Sequence, residues 1–517
     1  MQIEKHIADA FKRLGVQPKY LLALALIFAV GFLLRMANTA KSPYLVKGID
    51  GPYYISQVDY LVETGKLLHK DSPLAFYYLF LWRLLLGDTV KALKIGMSVI
   101  TGLMCLPTFF VARRIARDDT VAILSAFLSV FNPYLFEMTY NLYKNEIGLL
   151  LLLTFFVLFF RLVSADGVRR KWKTLVILLL VFIALWATHI MATGMAVLFS
   201  ISYFVVAVFR DREAAKRALK LSAVVGVIAG CALLVLAAAF PASFYKVYKL
   251  GFLTDLIQDE SEAPRFAPAQ AQGSWARFIA ANLDPVRWFG IPAIAGLIVL
   301  IGKVQKRNLL LSEAFILSTY VSWLAFVQPS ISRDLLWRFT LASFVPLCLI
   351  MGYGLAAIQR KLPYMVAMPA VVLLLGLSFM EASCGAMRSS TTITQGAYLE
   401  LLEIRELVPE ECAIVGMAGD AYWYEAVLQN RIISSTYVES EDYSDEARLY
   451  IVAAASASRG GQGNPGQGNP GQPIGPGTSP LPTAFPGSQR LSSRAELIYN
   501  GRYLTAYLLP AGSRAQS

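Results

Sequence analysis

Tyr143-Lys144-Asn145-Glu146-Ile147-Gly148-Leu149-Leu150-Leu151-Leu152-Leu153-Thr154-Phe155-Phe156-Val157-Leu158-Phe159-Phe160 is the stretch on which the fold turns. A helix over 147–163, almost wholly Leu and Phe, is long enough to cross a hydrocarbon core of about 30 Å. It opens directly behind a lysine and a glutamate. Charged groups at the mouth of such a helix are costly to keep there, and they mark function by default.

The whole chain has the same character. It has 517 residues, 56% of them hydrophobic, and a mean hydropathy of +0.52, too apolar for a water-soluble domain of this size. The net charge of +12 does not point to nucleic acid, because the basic residues stand in short clusters between apolar runs, where they act as topology signals. The head, Met1 to Tyr20, is long, amphipathic and basic, and the apolar run after it has no small-residue cleavage site, so that run reads as a retained span. Cys105, Cys231 and Cys348 fall within apolar runs and read as core packing, whereas Cys384 and Cys412 fall in the tail, where nothing in the spacing demands a pair.

Runs long enough to span number about eleven: 20–37, 89–112, 120–136, 147–163, 174–189, 190–209, 221–240, 288–302, 309–327, 339–358 and 363–380. The basic clusters between them are the head, Arg113/Arg114/Arg117, Arg169/Arg170/Lys171/Lys173, Arg210/Arg212/Lys216/Arg217, Lys303/Lys306/Arg307 and Arg360/Lys361. With these spans every cluster falls on one side, the cytoplasmic one by the positive-inside rule. The larger, more polar connectors, 38–88, 137–146, 241–287, 328–338 and everything after 380, then face outward. The expected fold is an α-helical polytopic membrane protein with a C-terminal extracytoplasmic α/β domain, set in the cytoplasmic membrane with its N-terminus inside.

The expected boundaries are a cytoplasmic amphipathic head at 1–19, a membrane domain at 20–380 and an outer domain at 381–517. Within the first outer connector, Phe76 to Leu86 is too short to span and carries Trp82 and Arg83, as an interfacial helix does. In the tail, Leu399–Leu407 and Tyr422–Leu428 read as helices and Cys412–Met417 and Leu449–Ala455 as strands. Ala495–Leu509 reads as a hairpin turning at Asn500-Gly501. Between them 460–489, a Gly/Pro/Gln/Asn repeat, has a composition that buries no core.

Four outward features can carry chemistry. Asp50 lies in Gly48-Ile49-Asp50-Gly51-Pro52-Tyr53-Tyr54, which also reads as an ordinary turn. Glu146 is either a second carboxylate near the membrane boundary or a charge favoured at its helix N-terminus. Arg338 opens a late span with a guanidinium suited to phosphoryl oxygens, or it snorkels beside Trp337. Glu262 lies in the acidic, proline-bearing connector 241–287 and reads first as a solvated charge.

Together these residues resemble the C-type membrane glycosyltransferases, in particular the catalytic subunit of oligosaccharyltransferase and its archaeal relatives. The resemblance covers roughly 20–380 in the order of its motifs: Gly48-Ile49-Asp50 with Tyr53-Tyr54, then Asn145-Glu146, then Arg338-Phe339. It implies a polyprenyl-phosphate or polyprenyl-diphosphate sugar donor, a protein or glycan acceptor, Asp50 and Glu146 as catalytic acids, and Arg338 on the donor phosphate. Tyr53, Tyr54, Lys144 and Glu262 fall on the substrate side. Any divalent cation, Mg or Mn, would rest on Asp50 and Glu146, but Lys144 stands where the family has an acid and cannot ligate a cation in its charged form. The family's Trp-Trp-Asp-Tyr-Gly motif is missing, and Gly416 to Trp423 is its nearest counterpart. The rival classes are a transporter or flippase for lipid-linked or small solutes, against which the lack of an internal repeat counts, and an inactive scaffold.

Overall fold

The computed structural model describes residues 15–163 apart from 43, 49 and 70, residues 168–210 with isolated positions to 238, and 290–306, 310–326, 338, 341–388, 391–409, 412–416, 421–429, 432–434, 447–453 and 496–509. The expected span 221–240, apart from those isolated positions, lies outside the described residues, as do the connector 241–287 with Glu262 and the insert 460–489. In chain order the helices are α1 (Pro18–Thr39), α2 (Gly51–Thr64), α3 (Leu74–Leu86), α4 (Thr89–Leu103), α5 (Cys105–Ala116), α6 (Asp119–Val130), α7 (Pro133–Asn141), α8 (Tyr143–Val163), α9 (Val168–Thr188), α10 (Ile190–Arg210), α11 (Gly290–Gln305), α12 (Leu311–Phe326), α13 (Phe344–Lys361), α14 (Tyr364–Arg388), α15 (Gln395–Arg405) and α16 (Ala421–Leu428).

The chain forms two compact units, Met1–Lys41 with His69–Ser389 and Ser42–Leu68 with Ser390–Ser517. The sequence placed 42–68 within the membrane domain. In the structure this stretch clusters with the tail, because Gly48 bridges to Thr391 as a parallel strand pair and α2 packs on α16. That pairing is non-local and leaves no trace in hydropathy.

The first unit is a bundle of apolar helices. Among the described residues five helical stretches are long and apolar enough to cross a membrane: Pro18–Thr39, Thr89–Ala116, Tyr143–Val163, Ile190–Val208 and Tyr364–Met387. A sixth counts if α6 and α7, bent by 44°, are one broken span. That bend falls inside the expected span 120–136. Asn132 accepts a capping bond from Tyr134 N at 3.0 Å and a proline opens the next helix, so one helix ends and another begins. The run 89–112 also divides, at Met104, and α14 continues past the expected end at 380 to Arg388. The Phe76–Leu86 piece is α3, too short to span.

Bulky rings and glycines set the packing. Phe160 meets Phe315 at 4.8 Å and Phe159 meets Tyr203 at 5.2 Å between ring centroids, so aromatic edges join α8, α10 and α12. Between α11 and α13 the backbones touch at glycine. A β-carbon on Gly354 would stand 1.8 Å from the Pro292 carbonyl oxygen, and one on Gly296 would stand 2.0 Å from that of Ile350. Small residues at such crossings are the usual means of close approach in membranes.

Residues of three basic clusters assigned to one side are tied to neighbouring segments. Arg113 pairs with Asp119 at 2.6 Å and donates to Gly15 O, Arg360 pairs with Asp118, and Lys303 pairs with the buried Glu313. Tyr353 adds a bond to Glu313 at 3.1 Å, and Ser312 Oγ donates to Ile115 O at 3.1 Å. Connectors far apart in sequence but on the same predicted side of the membrane are thus in contact.

The second unit is α/β. Its five strands, β1 (Cys412–Gly416), β2 (Ile432–Ser434), β3 (Ala447–Ala453), β4 (Glu496–Asn500) and β5 (Leu504–Leu509), lie in the order β2-β1-β3-β5-β4. The pairs β1/β2 and β1/β3 are parallel, and β3/β5 and β4/β5 are antiparallel. The expected hairpin is β4–β5. Its turn closes with Gly501 N donating to Leu504 O at 2.9 Å. The Glu400 carboxylate on α15 then accepts from the backbone N–H groups of Arg502, Tyr503 and Leu504 at 2.8, 3.0 and 2.7 Å.

Candidate functional site

At the end of the first unit away from the Arg113–Glu313 lattice, connectors predicted to face outward come together. Lys144, in the first turn of α8, forms an ion pair with Asp71 and lies 5.8 Å from the Phe76 ring centroid. His189 occupies the break between α9 and α10, where the chain leaves one apolar run and starts another. It backs onto α8 at Gly148, where a β-carbon would stand 3.2 Å from the His189 Cβ and 3.1 Å from that of Ala192. The charges of Lys144, Arg338 and Asp71 all act on His189. The two cations the sequence singled out, Lys144 and Arg338, thus both act on one histidine although remote in number.

Glu146 faces another way. It is fully buried, and its Oε1 accepts from Thr101 Oγ1 on α4 at 2.7 Å. Thr101 is in turn 3.2 Å from Thr139 Oγ1, and the Thr139 carbonyl accepts from Arg35 Nη2 at 2.8 Å. Arg35, 1% exposed on α1, also donates from Nη1 to Lys94 O at 2.9 Å and Ser98 Oγ at 3.2 Å, and its guanidinium lies 5.4 Å from the Tyr140 ring centroid. Glu146 is thus an internal tie between α8 and α4 rather than a cap on its own helix. A buried carboxylate needs a compensating charge, and Arg35 acts on Glu146 electrostatically.

Asp50, Tyr53 and Tyr54 belong to the second unit. Asp50 stands at the N-cap of α2, but its carboxylate makes no capping bond to that helix, and a proline in the first turn together with Gly65 at φ 72° in the C-cap fixes the helix ends. Tyr54 is buried, and Tyr53 packs edge-on against Tyr422 of α16 at 5.4 Å. Tyr53 also receives a bond from Gln57 Nε2 at 2.9 Å. Trp423 donates from its indole to Thr392 Oγ1 at 2.9 Å. The segment chosen as the nearest counterpart of the missing Trp-Trp motif therefore packs on the helix that follows Asp50.

Among the described residues no three His, Cys, Asp or Glu side chains cluster as ligands. Glu146 Oε1 is committed to Thr101, and Lys144 brings positive charge to the same turn.

Three residues of these clusters escaped the sequence reading. Arg35 is a lone charge in an apolar run at its outward end. His189, one of three histidines in the chain, sits between two apolar runs. Asp71 lies in a connector read only for its aromatics. A search for charges inside or between spans finds the first two; nothing in the sequence marks Asp71.

No family model matches the chain, and no curated protein matches it. Solved structures do. The archaeal oligosaccharyltransferase AglB of Archaeoglobus fulgidus, in complex with an inhibitory peptide and a dolichol-phosphate, superposes with a TM-score of 0.64 at 14% identity over 84% of this chain and 69% of its own. ArnT of Cupriavidus metallidurans bound to undecaprenyl phosphate gives 0.58 at 10% identity over 94% and 97% of the two chains. The mycobacterial arabinofuranosyltransferase AftD gives 0.53 at 13% identity, with 83% of this chain spanning 35% of that one. The chain thus shares the fold of these solved glycosyltransferase structures.

Proposed function

We propose that the chain is a membrane glycosyltransferase that moves a sugar or glycan from a polyprenyl phosphate or diphosphate to an acceptor on the extracytoplasmic face of the cytoplasmic membrane. The observation that carries this reading is that Lys144 and Arg338 both act on His189 in a bundle that shares its fold with solved membrane glycosyltransferases. Two of the similar structures hold a polyprenyl-type phosphate, dolichol-phosphate in one and undecaprenyl phosphate in the other. The peptide beside the first supports a protein among the acceptors.

As the bond to the anomeric carbon breaks, negative charge builds on the departing phosphoryl oxygens and positive charge on the sugar. Fixed cations near the first are worth most in a site that excludes water. Arg338 and Lys144 hold the leaving phosphoryl group. Asp50 accepts the proton of the attacking acceptor, or orients it, as a general base does. Glu146 keeps α8 in place behind Lys144, tied by Thr101 to α4. Tyr53, Tyr54 and Glu262 are the proposed acceptor-side contacts, and no step is routed through a divalent cation.

The test is to reconstitute the purified chain in vesicles with a labelled polyprenyl-phosphate sugar and a mixed protein and glycan acceptor pool. Label appearing on an acceptor is the expected result. Passage of intact donor across the bilayer without transfer gives the protein to the flippase class, and neither outcome leaves it a scaffold.

A further inference from the structure

His189 belongs to the outward cluster and has no part in the scheme above. Its Nδ1 is buried and makes no hydrogen bond among the described residues. A buried polar nitrogen left without a partner costs about 1–3 kcal/mol, so it should meet either an ordered water or a ligand atom. Its surroundings favour an anionic ligand. Two cations, Lys144 and Arg338, and one carboxylate, Asp71, act on it. Lys144, although paired with Asp71, has three donors and can serve a second acceptor. Gly148 lets His189 seat against α8 one turn from Lys144, since a β-carbon there would stand 3.2 Å from the His189 Cβ.

We propose that His189 donates a hydrogen bond to a phosphoryl oxygen of the lipid-linked ligand and completes, with Lys144 and Arg338, a three-sided anion site. The proposal rests on the glycosyltransferase reading and names a ligand contact that reading leaves out. A neutral imidazole carries one N–H donor, and the phosphoryl oxygens offer the acceptor the ring lacks. Arg338 gives a paired, planar contact, Lys144 a point charge and His189 a single directed bond. The same chemistry is offered by a polyprenyl phosphate and by the phosphodiester headgroup of a bulk phospholipid.

The test uses the full chain in detergent with farnesyl phosphate and phosphatidylglycerol as separate probes. His189→Ala is expected to weaken farnesyl phosphate about tenfold, the effect of one bond to a charged group, with His189→Asn recovering part of the loss. Parallel weakening of phosphatidylglycerol supports the anion site and assigns its occupant to the bulk lipid. Unchanged binding of both probes by folded His189→Ala overturns it, and an ordered water is then the partner of Nδ1. If the variant does not fold, 15N-histidine labelling of the wild-type protein decides the matter. A shift of the His189 resonance on saturation with farnesyl phosphate supports the contact, and its constancy overturns it. Failure of the wild-type protein to bind farnesyl phosphate at all is a different result, because it removes the glycosyltransferase reading itself.

Discussion

Replacing Arg35 with methionine keeps much of the side-chain volume and deletes the charge, which isolates the electrostatic part of the buried tie. The guanidinium makes bonds of 2.9, 3.2 and 2.8 Å to Lys94 O, Ser98 Oγ and Thr139 O. Hydrogen bonds to a charged group contribute about 1.5–3 kcal/mol each in water-soluble proteins, but interhelical polar contacts in membranes average nearer 0.6 kcal/mol. Three such bonds therefore account for only about 2 kcal/mol. The greater cost comes from Glu146, left buried without a cation, since breaking a buried pair costs about 3–5 kcal/mol. Protonation of the carboxylate limits that loss, so we expect about 3 kcal/mol for Arg35→Met. The companion variant Glu146→Gln removes the orphaned charge and should restore about 1–2 kcal/mol in the Arg35→Met background. Reversible unfolding of the purified protein by SDS in mixed micelles, applied to the wild type, both single variants and the double variant, measures the coupling. Additivity of the two single changes within about 0.5 kcal/mol would show that Arg35 and Glu146 do not sense each other, and the tie would then be no more than separate backbone contacts.

Three further outcomes follow from the structure. Asp50→Asn should insert and fold as the wild type does while losing transfer by roughly 10²–10⁴-fold, the usual contribution of a general base; near wild-type turnover in the vesicle assay removes Asp50 from the scheme. Gly354→Leu must push α13 off α11, because even a β-carbon would stand 1.8 Å from the Pro292 carbonyl; the yield of monodisperse protein should collapse, whereas Gly302→Ala, with nothing within 4 Å of the new carbon, should behave as wild type. Glu400→Ala should release the turn of the β4–β5 hairpin, and hydrogen exchange at the amides of Arg502, Tyr503 and Leu504 should accelerate by about tenfold or more, as expected for loss of a charge-assisted bond.

The helical plan was legible because long apolar runs and basic clusters carry it, and contacts between clusters assigned to one side, such as Arg360 with Asp118, agree with the deduced topology. The boundary between two adjoining runs at 189/190 falls where the helices break, at His189. Hydropathy hid the break at Asn132-Pro133, although an N-cap and a helix-opening proline were both in the sequence. A three-residue strand, Ile432–Ser434, is too short to stand out from a loop. Among the candidate residues, Lys144 and Arg338 stood out in the sequence because each stands at the mouth of an apolar run. Arg35 was lost in the average of a strongly apolar window. Glu146 was found for its position, but the direction in which it points is a tertiary fact, set by Thr101 forty-five residues earlier. The grouping of 42–68 with the tail depends on a strand bridge between residues more than three hundred positions apart, and no local pattern encodes it.

The carboxylate of Glu400 fixes the β-hairpin from outside. The turn is held by a side chain on a helix that precedes β3, so alignment of the last two strands does not depend on residues 454–495, which separate β3 from β4. Anchored in this way, the hairpin is expected to keep its strand register when an affinity handle or a fluorescent reporter is spliced in between β3 and β4.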